Sequence, residues 1–323
     1  MAVIIGIDEA GYGPIMGPLV VSAATFEVPD ELLDQSLWDI LRQSVCKHRS
    51  AGAGRIVIND SKKLYSTRGR YDCLQRGVLA SLYTASSATQ FQTLGRLLQH
   101  FDGDCPAELS GYPWYTSVED WPLRYNHDDI VTAAAAFAND MSNHNIRLLA
   151  IRSHPLFTGE YNRLVEAVNN KASVLFSLIC ELIHRGMKQY NRQNLQIVID
   201  KQSGRSHYRQ PLQRMFPDFS LKILKEVNTL SSYLLTGPNN TSVKIHFLQK
   251  GDQQQLPIAL ASMAGKYLRE LFLEILNGYF RKHCPEITPT AGYYTDGRRF
   301  LNDLKSYNLP SHLTPDHLLI RQR

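Results

Sequence analysis

Apolar positions in this chain follow two rhythms. Short runs rich in β-branched and aliphatic residues, Ala2 to Ile7 and Pro18 to Val28, flank a Gly/Pro-rich turn and predict an antiparallel hairpin. Similar runs predict strands at Arg55 to Ile58, Ile146 to Arg152, Leu195 to Ile199, Ser220 to Leu224 and Val243 to Leu248. Between them the spacing predicts helices from about Asp30 to Val45, over a long stretch ending near Tyr190, from Ser206 to about Phe216, from Leu256 to Lys282 and from Arg298 to Tyr307. Strands alternating with helices after an opening hairpin give an α/β layered domain, and no internal repeat interrupts it. Residues 66 to 143 read differently. Helical pieces there surround a loop-like stretch, Asp102 to Trp121, which predicts a mainly helical insertion or accessory subdomain within one domain spanning 1 to 323. Trp114 and Trp121 are expected to form that segment's small core, with a base-stacking platform as the alternative.

Composition narrows the class. With 43% hydrophobic and 20% charged residues over 323 positions, the chain has the make-up of a globular protein rather than a disordered or fibrous one. No apolar run approaches the roughly 18 residues of a membrane span, so no membrane partner is expected. A net charge of +5 permits an anionic partner such as nucleic acid without demanding one. Five scattered cysteines, with no CxxC or Cys/His zinc spacing, indicate neither a disulfide framework nor a structural zinc. A reducing cytoplasm is the expected location, and the opening Ala2 to Ile7 lacks the basic stretch of a secretory leader.

Acidic residues sit where chemistry is possible. Asp8 and Glu9 follow the first predicted strand, Asp200 follows a later one, and Glu270 lies within the long helix. Successive strand residues face opposite sides, so Asp8 and Glu9 converge only if the strand ends there and Glu9 belongs to the turn, which Gly11 and Gly13 permit. Crowded carboxylates repel one another unless cations neutralise them, and an all-oxygen set suits Mg²⁺ or Mn²⁺.

The residues also carry a family resemblance. Gly6-Ile7-Asp8-Glu9-Ala10-Gly11-Tyr12-Gly13-Pro14 resembles the signature of type 2 ribonucleases H, the ribonuclease HII and HIII group. Four blocks follow in the same order. Asp60-Ser61-Lys62-Lys63-Leu64 resembles the DSKKL segment, and Ile197-Val198-Ile199-Asp200 the strand bearing the third acid. Ala261 to Glu270 resembles the ASxxAKxxRD helix, and Gly292-Tyr293-Tyr294-Thr295 the GYxT block. The collinear order gives the resemblance its weight, since a lone DEAG is weak.

The resemblance implies a ribonuclease H-like fold, a mixed sheet flanked by helices whose first strands are antiparallel. It also implies metal-dependent hydrolysis of RNA in RNA/DNA hybrids or ribonucleotide-containing duplexes, leaving 5′-phosphate and 3′-hydroxyl ends. Asp8, Glu9, Asp200 and Glu270 would be the catalytic, metal-binding quartet, holding two Mg²⁺ or Mn²⁺ ions. Gly11, Tyr12, Gly13, Lys62 and Tyr293 would contact the substrate. The sequence departs from the family in three places. Tyr12 replaces the arginine of a GRG turn, a glutamate stands at 270 as in ribonuclease HIII, and Lys201 to Arg205 replaces a short DG turn. A noncatalytic nucleic-acid-binding protein on the same fold, or a related metal nuclease with another nucleic-acid substrate, are the alternatives. For Lys266 and Glu270, four apart on one helix, the plain expectation is an ion pair.

Overall fold

The computed structural model describes residues 1–48, 54–64, 72–86, 91–102, 107–191, 194–202, 204–238 and 241–322. Its nine strands are β1 (Ala2–Ala10), β2 (Leu19–Val28), β3 (Val45–Cys46), β4 (Ile56–Val57), β5 (Arg147–Leu156), β6 (Asn194–Asp200), β7 (Ser220–Val227), β8 (Leu230–Thr236) and β9 (Ser242–Leu248). The helices in its first half are α1 (Leu37–Ile40), α2 (Ser61–Leu64), α3 (Asp72–Ala85), α4 (Leu94–Asp102) and α5 (His127–Asn143). Then come α6 (Thr158–Val168), α7 (Lys171–Gln189), α8 (Arg209–Met215), α9 (Gly251–Gln254), α10 (Leu256–His283), α11 (Tyr294–Ser306) and α12 (Asp316–Leu319).

Seven strands form one mixed sheet in the order β5-β2-β1-β6-β9-β8-β7. The opening hairpin is antiparallel, with Ala2 opposite Val28 and Ala10 opposite Val20. Its outer strand pairs antiparallel with β5. The centre is parallel, β1 with β6 and β6 with β9, and β8 and β7 complete the other edge in antiparallel fashion. Both faces are covered, which is why β1 is apolar almost throughout instead of alternating. Ala2 and Ile4 belong to a core made with α3, α4, α5 and α10. Val3, Ile5 and Ile7 belong to a second core made with α6, α7 and α8. The architecture is the mixed sheet flanked by helices that the sequence leads one to expect.

The long helix α10 lies against β1 because the strand offers it a glycine. A Cβ on Gly6 would stand 2.1 Å from the Pro257 carbonyl carbon and 2.3 Å from the Ile258 nitrogen, both backbone atoms. Further along, Gly265 reciprocates, its missing Cβ leaving room for Ser22 Oγ and the Ala10 side chain. Pro257 in the first turn and Arg281, Lys282 and His283 in the last suit a helix of this polarity.

Local expectations needed correction in three places. The helix expected over Asp30 to Val45 is a 3₁₀ turn at Asp30–Leu32 and the single turn α1, followed by β3. Tertiary hydrogen bonds win over the helical spacing: Trp38 Nε1 donates to Ile58 O (2.9 Å), and Ser44 donates to the buried Asp140 through both its N–H (2.9 Å) and its hydroxyl (2.7 Å). The stretch ending at Tyr190 is the extension of β5 to Leu156 and then two helices, broken at Asn169, whose φ of 48° is left-handed, and restarted by the Asn170 cap. Strand β8 went unanticipated, because Leu230-Ser231-Ser232-Tyr233-Leu234-Leu235 has no clean alternation and becomes a strand through pairing on both edges.

Within residues 66 to 143, positions 66–71, 87–90 and 103–106 lie outside the described residues. In the described remainder, α3, α4 and α5 share a core with α10, and Trp114 is buried in it against Tyr115, Tyr279 and Phe280.

Candidate metal and nucleic-acid site

Three adjacent parallel strands, β1, β6 and β9, deliver acids to one end of the sheet, the carboxyl end, where α/β folds hold ligands. The β1–β6 register runs to Ile7 opposite Ile199, so Asp200, the last residue of β6, comes level with Asp8. Asp8 is 6% exposed and faces α10, from which Ser262 donates a hydrogen bond to it. The Ser262 hydroxyl also meets Ser61 Oγ at 3.0 Å, which docks the Asp60-Ser61-Lys62-Lys63 block beside the acids.

Glu9 joins the group by another route than expected. It stays inside β1, which runs to Ala10, so the turn does not reorient it. Convergence comes from β6 ending at Asp200, whose charge acts on both Asp8 and Glu9 although these point to opposite faces. Asp200 Oδ1 in turn accepts from the Gly251 N–H at 2.6 Å, at the start of α9.

The next residue, Asp252, is the acid that the sequence reading missed. Its charge raises the Asp200 pKa, and Lys62 acts on Glu9, Asp200 and Asp252 alike. Asp60, with Oδ1 accepting from the Lys62 N–H at 2.9 Å, adds to the negative field at Asp252. The sequence did hold a signal. Asp252 follows the end of β9 by four residues, the same kind of position that singled out Asp8, Glu9 and Asp200.

Glu270 does not join the cluster. Eight residues beyond Ser262 on one helix, it sits about 12 Å further along the axis. Its carboxylate accepts from Lys266 Nζ at 2.5 Å and Arg269 Nη1 at 3.3 Å, so two cations already neutralise it, and it lines a separate groove with Trp121, Asn277, Thr290 and Ala291. Of the four expected acids the structure thus sets Glu270 apart from Asp8, Glu9 and Asp200; the i,i+4 ion pair is present, and Asp252 is the further acid whose charge acts on Asp200.

Burial is the main cause of the perturbed acidities. It holds Asp8 well above the usual carboxylate range, with the Glu9 and Asp200 charges adding to it. Glu9 is pushed up to about 7 and Asp200 to about 6, and Asp252 is raised as well, all by burial first and neighbouring acids second. The Lys62 charge offsets only part of this, since Glu9, Asp200 and Asp252 stay raised beside it, and an all-oxygen set suits a hard divalent cation. Among the described residues no three of them already stand in a ligating arrangement.

The expected substrate contacts divide between two places. Lys62 lines the groove of about 500 Å³ that also holds Asp60, Asp200 and Asp252. Gly11 to Gly13 form the turn beyond β1. Gly11 has φ +87°, and a Cβ there would meet Arg269 Cδ at 2.7 Å and Pro18 O at 2.8 Å, while a Cβ on Gly13 would meet nothing. Tyr12 is half-buried, with Lys171 Nζ 5.0 Å from its ring centre. Tyr293 is 51% exposed and lies beside Arg269, 5.9 Å from its ring centre. It stands next to Gly292, whose carbonyl accepts from Ile15 N–H at 2.8 Å, so it belongs to the far side of the Gly11 turn.

No protein-family model matches the chain, and no curated protein does. Among the described residues no helix is long and apolar enough to cross a membrane. Several solved structures are similar to it. One is the PCNA:RNase HII complex from Archaeoglobus fulgidus, at 14% identity and a TM-score of 0.41, covering 99% of this chain and 94% of that one. Aquifex aeolicus RNase H3 is 14% identical with a TM-score of 0.43, covering 98% and 71%. Bst-RNase HIII in complex with Mn²⁺ is 14% identical with a TM-score of 0.38, covering 93% and 62%. Over nearly the whole of this chain, these likenesses are to ribonucleases HII and HIII.

Proposed function

We propose that this chain is a metal-dependent endoribonuclease that hydrolyses RNA in RNA/DNA hybrids or ribonucleotide-containing duplexes, leaving 5′-phosphate and 3′-hydroxyl ends. The observation that carries the reading is the gathering of Asp8, Glu9, Asp200 and Asp252 at the ends of three neighbouring parallel strands, each with a raised pKa. The five collinear sequence blocks support it independently, and three of them, around Asp8, Asp60 and Asp200, border this one site together with Ser262 of the fourth.

Asp8, Glu9, Asp200 and Asp252 would hold two Mg²⁺ or Mn²⁺ ions. When bound, such ions supply an activated water and stabilise the charge of the leaving 3′ oxygen. Ser262 fixes the Asp8 carboxyl by its hydrogen bond, and the Gly251 N–H fixes that of Asp200. Lys62 brings a mobile cation to the groove, suited to a phosphate of the bound strand. The Gly11 to Gly13 turn offers backbone groups to a sugar, and the exposed Tyr293 ring, beyond it, offers a face for stacking.

The test is a panel of labelled substrates with Mg²⁺ or Mn²⁺: uniform hybrid, single-ribonucleotide duplex, double-stranded RNA and branched DNA. Cleavage of hybrid is expected, abolished by Asp8→Asn and by Asp200→Asn in proteins that still melt cooperatively. Hybrid bound but left intact under both metals would overturn the activity in favour of a binding protein. Tyr12, in place of a cationic residue, favours the second reading of a metal nuclease with a different substrate, which selective cutting of branched DNA would establish.

A further inference from the structure

The turn that leaves β6 carries polar groups for which the acidic cluster has no use. Gln202 is 5% exposed, and neither its amide oxygen nor its amide nitrogen has a hydrogen-bond partner among the described residues. Its backbone, by contrast, is anchored on both sides. The Gln202 N–H donates to Tyr208 Oη at 3.0 Å, and its carbonyl accepts from the Arg205 N–H at 3.1 Å. A buried amide with donor and acceptor both idle is costly, so an apolar side chain would serve the fold better here.

Arg205 shows the same pattern with a charge. Its guanidinium lies 5.1 Å from the ring centre of Phe176 and 5.9 Å from that of Tyr208, which itself stacks on Phe247 at 3.6 Å. No carboxylate of the described residues pairs with it, and its Nη1 is buried without a partner. Both residues line the groove of Asp60, Lys62, Asp200 and Asp252. A cation on an aromatic platform, beside acids yet bonded to none, presents a planar fork shaped for phosphate oxygens. An amide with a free donor and a free acceptor matches a hydroxyl, which is both.

We propose that Arg205 and Gln202 form a sugar-phosphate subsite beside the acidic cluster, Arg205 taking a phosphodiester of the bound strand and the Gln202 amide a neighbouring ribose hydroxyl. This rests on the nuclease reading and deepens it. It also explains how a chain with Tyr12 in its glycine turn still brings a cation there, since the Arg205 charge acts on the Tyr12 phenol.

The experiment measures binding of a labelled RNA/DNA hybrid to the full chain, with Ca²⁺ replacing Mg²⁺ to suppress cleavage, over a salt series. Arg205→Met, which keeps an apolar stem on the rings, is expected to weaken binding about 10- to 100-fold and to reduce the slope of log K against log salt by about one. Arg205→Lys should keep the slope and lose part of the affinity. Gln202→Leu is expected to raise the melting temperature of the free protein, by removing two unpaired buried atoms, and to narrow its preference for the hybrid over the all-DNA duplex. A salt slope equal in wild type and Arg205→Met, in a protein that binds and cleaves hybrid, would overturn the Arg205 contact alone. A preference unchanged in Gln202→Leu would overturn the Gln202 contact. A wild-type protein that holds no hybrid at the lowest salt would overturn the nuclease reading and the subsite with it.

Discussion

Filling the acidic site with a divalent cation should expel protons, and the number depends on pH in a way the structure sets. Glu9, at about 7, and Asp200, at about 6, still carry protons in mildly acid solution, and Asp8 and Asp252 are shifted in the same direction. At pH 6 Glu9 is about nine-tenths protonated and Asp200 about half, so binding that needs both ionised releases about 1.4 protons from this pair alone; at pH 8 the figure falls to about 0.1. Apparent Mg²⁺ affinity should therefore rise about 25-fold per pH unit near pH 6 and level off above pH 8. Stability carries the same sign. These folded-state pKa values lie above those of the unfolded chain, so their contribution is fully present below about pH 4 and is lost as pH rises through 6 to 7 in metal-free protein. Mg²⁺ should restore it most strongly above pH 7. Titration calorimetry in two buffers of different ionisation enthalpy counts the protons directly. Equal affinity at pH 6 and pH 8, with no proton released at either, would refute the reasoning.

Two substitutions separate the sequence expectation from the geometry. Asp252→Asn should abolish cleavage and weaken Mg²⁺ binding by at least about tenfold, whereas Glu270→Gln should leave Mg²⁺ binding within about twofold and instead lower thermal stability, because Lys266 and Arg269 lose their buried partner. The opposite outcome in metal titrations of the two variants would return the fourth acid to α10. Gly6→Ala tests the seat of that helix. Its new methyl would meet the Pro257 and Ile258 backbone at 2.1 and 2.3 Å, where no side chain can give way, so α10 must lift from β1. A loss of about 3 kcal/mol or more, read as a lower denaturant midpoint at constant slope, is the expected cost. An unchanged midpoint would mean that helix and strand do not touch there.

Strands β1, β2 and β6 were legible as aliphatic, largely buried runs, β9 by its alternation, and α10 because its apolar spacing continues over 28 residues from a proline start to a basic end. Elements whose form depends on partners were not. Val45–Cys46 becomes a strand only against Ile56–Val57, and Leu230–Thr236 only between β7 and β9. The site divides the same way. The strand-end positions of Asp8 and Asp200 were legible, because the parallel register that levels them is a short-range property of neighbouring strands, whereas Glu9, expected in the turn, stays inside β1. Whether Glu270 stands with them depended on where a long helix runs, and text order does not report that. At 1.5 Å per residue, the eight residues from Ser262 to Glu270 carry a side chain clear of the cluster, however well its block matches a family pattern. A rule follows for chains of this type. An acid just past the end of a parallel strand is a better site candidate than one deep in a helix, because strand ends converge by construction and a helix touches a site only at the turn that crosses it. In α10 that turn carries Ser262, the residue bonded to Asp8, while Asp252, whose charge acts on Asp200, stands four residues before the helix begins.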